Sequence, residues 1–193
     1  MNIANKLTLL RMLMIPVFIL LVLNPSADQV VWLGTAIPIN QVWAALVFAL
    51  ASFTDFLDGY LARKYHLVTS FGAFFDPMAD KLLVMAALIL LVQVASVPGW
   101  IVFIILAREL MVTGLRVLIA QSNGKVMAAA MPGKIKTTTQ MLAIICFLLQ
   151  DMGRSVWGFS LANLLLYVCL FFTIYSGLEY FYHARYVFSD GLK

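Results

Sequence analysis

Apolar residues run along this chain in long blocks, and the polar positions gather between them. A helix that crosses the hydrocarbon core of a bilayer needs about 20 largely apolar residues. Six stretches approach that length: roughly 7–23, 41–62, 74–95, 98–119, 136–150 and 156–180. The breaks carry turn chemistry, with "NPSAD" at 24–28, "PIN" at 38–40, "SVPG" at 96–99, "PG" at 132–133 and "DMGR" at 151–154. The pattern predicts an all-α integral membrane protein of six transmembrane helices, with both termini on one side. It contains no internal repeat and no low-complexity segment, and residues 1–193 read as a single transmembrane domain. The apolar run after Arg11 has no small-x-small cleavage site close behind it and is followed by five more such runs. It is therefore expected to be a retained first span.

Composition agrees with the pattern. Hydrophobic residues make up 63% of the 193 and charged residues 11%, against about 45–50% apolar in soluble domains. The formal net charge is +4, but the basic residues flank apolar runs instead of forming a block, so topology explains them and no nucleic-acid partner is expected. With a cytoplasmic N-terminus, 12 of the 13 Lys and Arg residues fall in or toward the cytoplasmic half and only Arg154 lies outside. The chain is thus expected in the cell membrane as a multi-pass protein, both termini cytoplasmic. Cys146 and Cys169 lie inside apolar stretches and read as small buried hydrophobes, not as a disulfide pair.

Against this background the segment from Asp55 to Asp80 stands out, because it puts four carboxylates into 26 residues. At helical spacing Asp55, Asp58, Gly59 and Ala62 share one face, two acids with two small residues. A polar turn over 64–73 follows, and Asp76 and Asp80 then lie four apart on the next helix. A helical hairpin can aim all four acids at one point near the cytoplasmic surface. Four ionised carboxylates in a partly desolvated site repel one another, and even one charge at the membrane centre costs about 3 kcal/mol on insertion scales. Cations must sit among them. Hard oxygen donors without a nearby Cys or His pair favour Mg²⁺ or Mn²⁺ over zinc, with Ca²⁺ a possible substitute. Two divalent ions are the natural count for four acids, and such pairs serve in-line displacement at phosphorus.

The spacing Asp55-x-x-Asp58-Gly59-x-x-Ala62-Arg63, then Gly72, Asp76 and Asp80, resembles the complete signature of the CDP-alcohol phosphatidyltransferase family, eight specified positions at fixed spacing. The resemblance implies the family fold, six membrane helices in a homodimer. It implies Asp55, Asp58 and Asp76 as metal ligands and Asp80 as both ligand and general base, the catalytic residue. It also implies Asp58, Gly59, Ala62 and Arg63 at the nucleotide of CDP-diacylglycerol. Near the start, Asn5-x-x-Thr8-x-x-Arg11 is similar to the family's N-terminal pattern and implies further substrate contact, although an Asn cap with a snorkelling Arg reads the same way.

Arg108, Glu109, Thr113 and Arg116 lie within one apolar run, and "GKIKTTTQ" adds Lys134 and Lys136. Arg108, Arg116, Lys134 and Lys136, with the hydroxyls among them, suit an oxyanion pocket, so the acceptor alcohol is expected to carry a phosphate. Arg11 is assigned to the same phosphate. Within the family, "REL..TGLR" followed by "GKIKT..Q" resembles the phosphatidylglycerophosphate synthases, whose acceptor is sn-glycerol 3-phosphate. An inositol phosphate would need a basic pocket as well, and serine or another alcohol defines further siblings. A cation transporter would also use intramembrane acids, but it predicts carboxylates at the midplane and no basic pocket. Lys125, Arg185, His66 and His183 read as ordinary interface groups.

Overall fold

The structure is a computed structural model that describes residues 3–65, 70–95, 97–121, 131–152, 154 and 158–185; within these, the side chains of 3–8, 55–65, 70–80 and 120–121 lie outside the description. Among the described residues six helices follow in chain order: α1 (Ile3–Leu23), α2 (Ile39–Tyr65), α3 (Ser70–Val94), α4 (Gly99–Gln121), α5 (Met131–Leu148) and α6 (Leu161–His183). A two-stranded hairpin, β1 (Gln29–Trp32) and β2 (Thr35–Pro38), joins α1 to α2. Each of the six predicted segments overlaps one of these described helices. By length and composition taken alone, α6 is the one described helix sufficient to cross a membrane, while α1, α2 and α3 carry the shorter apolar segments Leu9–Leu23, Ile39–Thr54 and Lys81–Val94. Arg108, Glu109 and Arg116 dilute α4, and Lys134 and Lys136 dilute α5.

Several boundaries differ from the sequence expectation, each for a local reason. The hairpin departs from an all-α chain: Leu33 and Gly34 take φ of 49° and 76°, the paired positive values of a two-residue hairpin turn. Pro132 and Gly133, expected as a break, fall in the first turn of α5, where the missing proline N–H had no intrahelical partner to lose. Instead of starting at 156, α6 starts at Leu161, and Asp151 Oδ1 accepts the N–H of Ala162 at 2.9 Å, satisfying one donor of its first turn. The Pro98 carbonyl does the same for α4, accepting from Ile101 and Val102. Toward the polar turn, α2 and α3 run on to Tyr65 and from Ser70, so the acid-bearing positions are helical throughout.

The chain forms two compact units. The first comprises Met1–Ser96 and Ile144–Ala162. There α1 packs against both α2 and α3, and α2 also touches α3. Phe18 and Phe48 are fully buried with ring centroids 5.9 Å apart, and Ala44, Ala45 and Ala51 let neighbouring backbones come close to α2. The second unit comprises Val97–Ala143 and Asn163–Lys193. Val112, Leu115 and Ile119 of α4 pack there with Tyr180 and Ala184.

Candidate active site

The two acids of α2 and the two of α3 stand on helices that pack together and share α1 as a neighbour. With α2 helical through Tyr65 and α3 helical from Ser70, Asp55, Asp58, Gly59 and Ala62 keep one face, as do Asp76 and Asp80. The side chains of Asp55, Asp58, Asp76 and Asp80 lie outside the described residues, as do those of Asn5, Thr8, Gly59, Ala62 and Arg63. As a donor set, four hard carboxylates supplied in pairs by adjacent helices fit Mg²⁺ or Mn²⁺. Among the described residues there is no cluster of three or more His, Cys, Asp or Glu side chains.

Arg11 lies on α1 and is 1% exposed. A guanidinium taken so completely from water is tolerated only beside compensating charge or acceptors. Its helix packs against both acid-bearing helices, so the sequence-predicted cation belongs to the same unit as the four aspartates.

The other predicted cations belong to the second unit. Lys136, 1% exposed, donates to Glu109 Oε1 and forms an ion pair with it. Arg108 Nη1 lies 3.9 Å from the same oxygen, and Arg108 Nη2 donates to Ser176 Oγ at 2.9 Å. Two cations therefore share one carboxylate. The stem of Arg108 passes Gly177, where an added Cβ would lie 3.2 Å from its Cγ. Arg116 is exposed and holds its guanidinium 5.7 Å from the ring centroid of Tyr180, within range of a cation–π contact. Lys134 is exposed. The hydroxyl of Thr113 bonds back to the carbonyl of Glu109 at 2.7 Å. Thr137, Thr138 and Thr139 likewise bond back to carbonyls of their own helix.

Of the four cations expected to face one cavity, Lys136 and Arg108 lie beside Glu109, Arg108 also meets Ser176, and Arg116 rests on Tyr180. Glu109, to which the sequence pattern gives no role, binds Lys136 across 27 positions of sequence. Ser176 and Tyr180 carry no mark in the sequence pattern. They lie four apart on α6 and so present one face, but a Ser and a Tyr in an aromatic-rich helix give no sign that two arginines rest on them.

Known proteins bear on this arrangement. The chain is similar to the CDP-diacylglycerol–glycerol-3-phosphate 3-phosphatidyltransferase of Bacillus subtilis, 48% identical over 181 residues covering 93% of each chain. The protein of the same name from Rickettsia typhi is 40% identical over 182 residues, 93% of this chain and 95% of that one. That from Sodalis glossinidius is 36% identical over 190 residues, 96% of each. A family model described as CDP-alcohol phosphatidyltransferase matches residues 1–175, a span that takes in the aspartate hairpin, the Glu109 cluster and most of α6. With its eight-position signature carried on two packed helices, and matched from the first helix into the last, the chain belongs to the CDP-alcohol phosphatidyltransferase family.

Proposed function

We propose that the protein transfers the phosphatidyl group of CDP-diacylglycerol to sn-glycerol 3-phosphate, giving phosphatidylglycerophosphate and CMP, as a multi-pass membrane enzyme of phospholipid biosynthesis. One observation carries this reading: relatives named for that reaction match over 93% of this chain, which bears the aspartate signature on α2 and α3.

The distribution of polarity supports a lipid environment. Every one of the six helices exposes large apolar side chains, among them Leu13, Phe53, Ile89, Phe103, Leu142 and Leu178. Arg11, Gln41, Lys136, Gln140, Thr173 and Ser176 are buried. A protein dissolved in lipid sorts its residues this way, because polar groups find partners only inside. With both termini and the acid hairpin placed on the cytoplasmic side, a soluble acceptor and a lipid donor meet at that surface. The family resemblance adds a homodimer.

In the proposed mechanism CDP-diacylglycerol leaves its acyl chains in the bilayer and brings its nucleotide to Asn5, Thr8, Asp58, Gly59, Ala62 and Arg63. Gly59 and Ala62 leave room for the nucleotide to approach α2. Arg11, Arg108, Arg116, Lys134 and Lys136 receive the acceptor phosphate; Arg108 and Lys136 bring charge already shared with Glu109. Asp55, Asp58, Asp76 and Asp80 would hold two divalent ions, which would supply positive charge to offset that of the pyrophosphate and the departing CMP. Asp80 takes the proton of the 1-hydroxyl as that oxygen bonds to the diacylglycerol-bearing phosphorus. The bond from this phosphorus to CMP breaks, and CMP leaves with the electron pair. The direct transfer needs no covalent enzyme intermediate, since the constellation contains no Ser, Cys or His nucleophile.

The test is CMP release by detergent-solubilised protein from CDP-diacylglycerol, with glycerol 3-phosphate, glycerol, serine, inositol and inositol phosphate offered in parallel. Release with glycerol 3-phosphate alone is expected. Preference for another acceptor would make the protein a sibling transferase, and divalent-ion flux into vesicles without CMP release would make it a transporter.

A further inference from the structure

The hairpin between α1 and α2 is apolar where it has least reason to be. Val30, Val31, Trp32 and Leu33 are consecutive and all exposed, at 44, 73, 53 and 46%. A run of that kind is avoided on surfaces that face water alone. Strand register pairs Val30 with Ile37 and Val31 with Ala36, and alternate residues of a strand point to opposite faces. Val30, Trp32 and Ile37 therefore share one face, and Val31 and Ala36 the other. Ile37 is fully buried, so the first face rests on the body of its unit at the base. The second face carries the most exposed residue of the four, and Ala36 on the same face is exposed as well.

The turn sharpens the question. Leu33 holds φ of 49°, a left-handed conformation in which a residue other than Gly, Asn or Asp costs roughly 1–2 kcal/mol. An apolar side chain is thus kept at the tip where Asn or Gly would relieve the backbone. The base, in contrast, is tied down. Ile39 N–H donates to Asp28 O at 3.0 Å, Asn40 Nδ2 donates to Asn24 O, and Asn24 Nδ2 donates to Leu20 O at 2.9 Å. The tip is presented in a set direction from the end of α1 and the start of α2. One turn into α2, Trp43 is also exposed, at 55%.

We infer that this hairpin is an interfacial anchor whose tip, Val31, Trp32 and Leu33, inserts into the outer leaflet of the bilayer. The inference rests on the multi-pass reading above, in which this end of α1 and α2 faces away from the cytoplasm. Charge selects a lipid surface over an anionic partner: no Lys or Arg occurs between Arg11 and Arg63, and Asp28 is the one charged residue from 24 to 40. The contact is driven by apolar area and by tryptophan's preference for the headgroup boundary. It is therefore insensitive to salt and to the anionic fraction of the lipid.

The full chain contains four tryptophans, which allows a direct test. A variant carrying Trp43→Phe, Trp100→Phe and Trp157→Phe retains Trp32 alone, and a second retains Trp43 alone. Each is reconstituted into phosphatidylcholine vesicles, with and without anionic lipid, and quenched either by lipid brominated near the headgroup or by aqueous iodide. Trp32 is expected to lose most of its emission to brominated lipid and little to iodide, equally in both lipid mixtures and at high salt. Quenching of Trp43 but not Trp32 by the lipid, with Trp32 open to iodide, would overturn the anchor while leaving the spans in place. Shielding of Trp32 from both quenchers would overturn it in favour of a protein partner. If neither tryptophan meets brominated lipid, the multi-pass reading falls together with the anchor.

Discussion

Replacing Glu109 with Gln should destabilise the protein more than removing the lysine it serves. The side chain of Lys136 is 2% exposed and that of Glu109 is 23% exposed. Glu109→Gln keeps size and hydrogen-bonding capacity but leaves a buried ammonium without its countercharge. Breaking such a pair from one side costs about 3–5 kcal/mol when both partners are buried. Because Glu109 is partly open to its surroundings, the low end applies, about 3 kcal/mol. In a chain of this size that corresponds to roughly 6–12 °C in unfolding midpoint. Lys136→Met removes the buried charge instead and fills the space with an apolar chain. Glu109 then keeps Arg108 at 3.9 Å, so the loss should stay near 1 kcal/mol or below, the range of partly exposed pairs. The double variant should recover most of what Glu109→Gln loses. Thermal unfolding in one detergent, followed for all three variants beside the parent, measures the order directly. An unchanged midpoint for Glu109→Gln, or a drop for Lys136→Met as large as that for Glu109→Gln, would refute the reasoning.

Four further outcomes are expected of the reaction. Chelating divalent ions should abolish CMP release and adding Mg²⁺ or Mn²⁺ should restore it, whereas full activity in excess chelator would remove metal from the mechanism. Asp80→Asn should lower kcat by roughly 10²- to 10⁴-fold, the usual worth of a general base, with CDP-diacylglycerol still bound. Asp55→Asn should instead regain part of its activity at high Mg²⁺, and equal rescue of both variants would make Asp80 mainly a ligand. Arg116→Ala, at a position exposed beside Tyr180, should raise KM for glycerol 3-phosphate far more than KM for CDP-diacylglycerol; equal effects would mean that Arg116 does not hold the acceptor phosphate.

What the linear sequence determined is what depends on short-range periodicity. Six apolar blocks located six described helices, because helical spacing acts along consecutive residues. The eight-position signature, with its acids three and four apart, likewise needed only helical geometry, and the described backbone keeps that spacing on α2 and α3. The local exceptions came from contacts that periodicity does not encode. Turn residues at 24–28 and 38–40 marked breaks but not the hairpin between them, whose pairing depends on the positive φ of Leu33 and Gly34 and on the burial of Ile37. The start of α6 depended on Asp151, eleven residues away from the N–H that it accepts. Tertiary structure alone decided the partners of the cations: Lys136 with Glu109, Arg108 with Ser176 and Arg116 with Tyr180 are separated by 27, 68 and 64 positions. A charge taken out of water takes whatever partner the packed helices bring within reach, and the sequence lists candidates for that partner without ranking them.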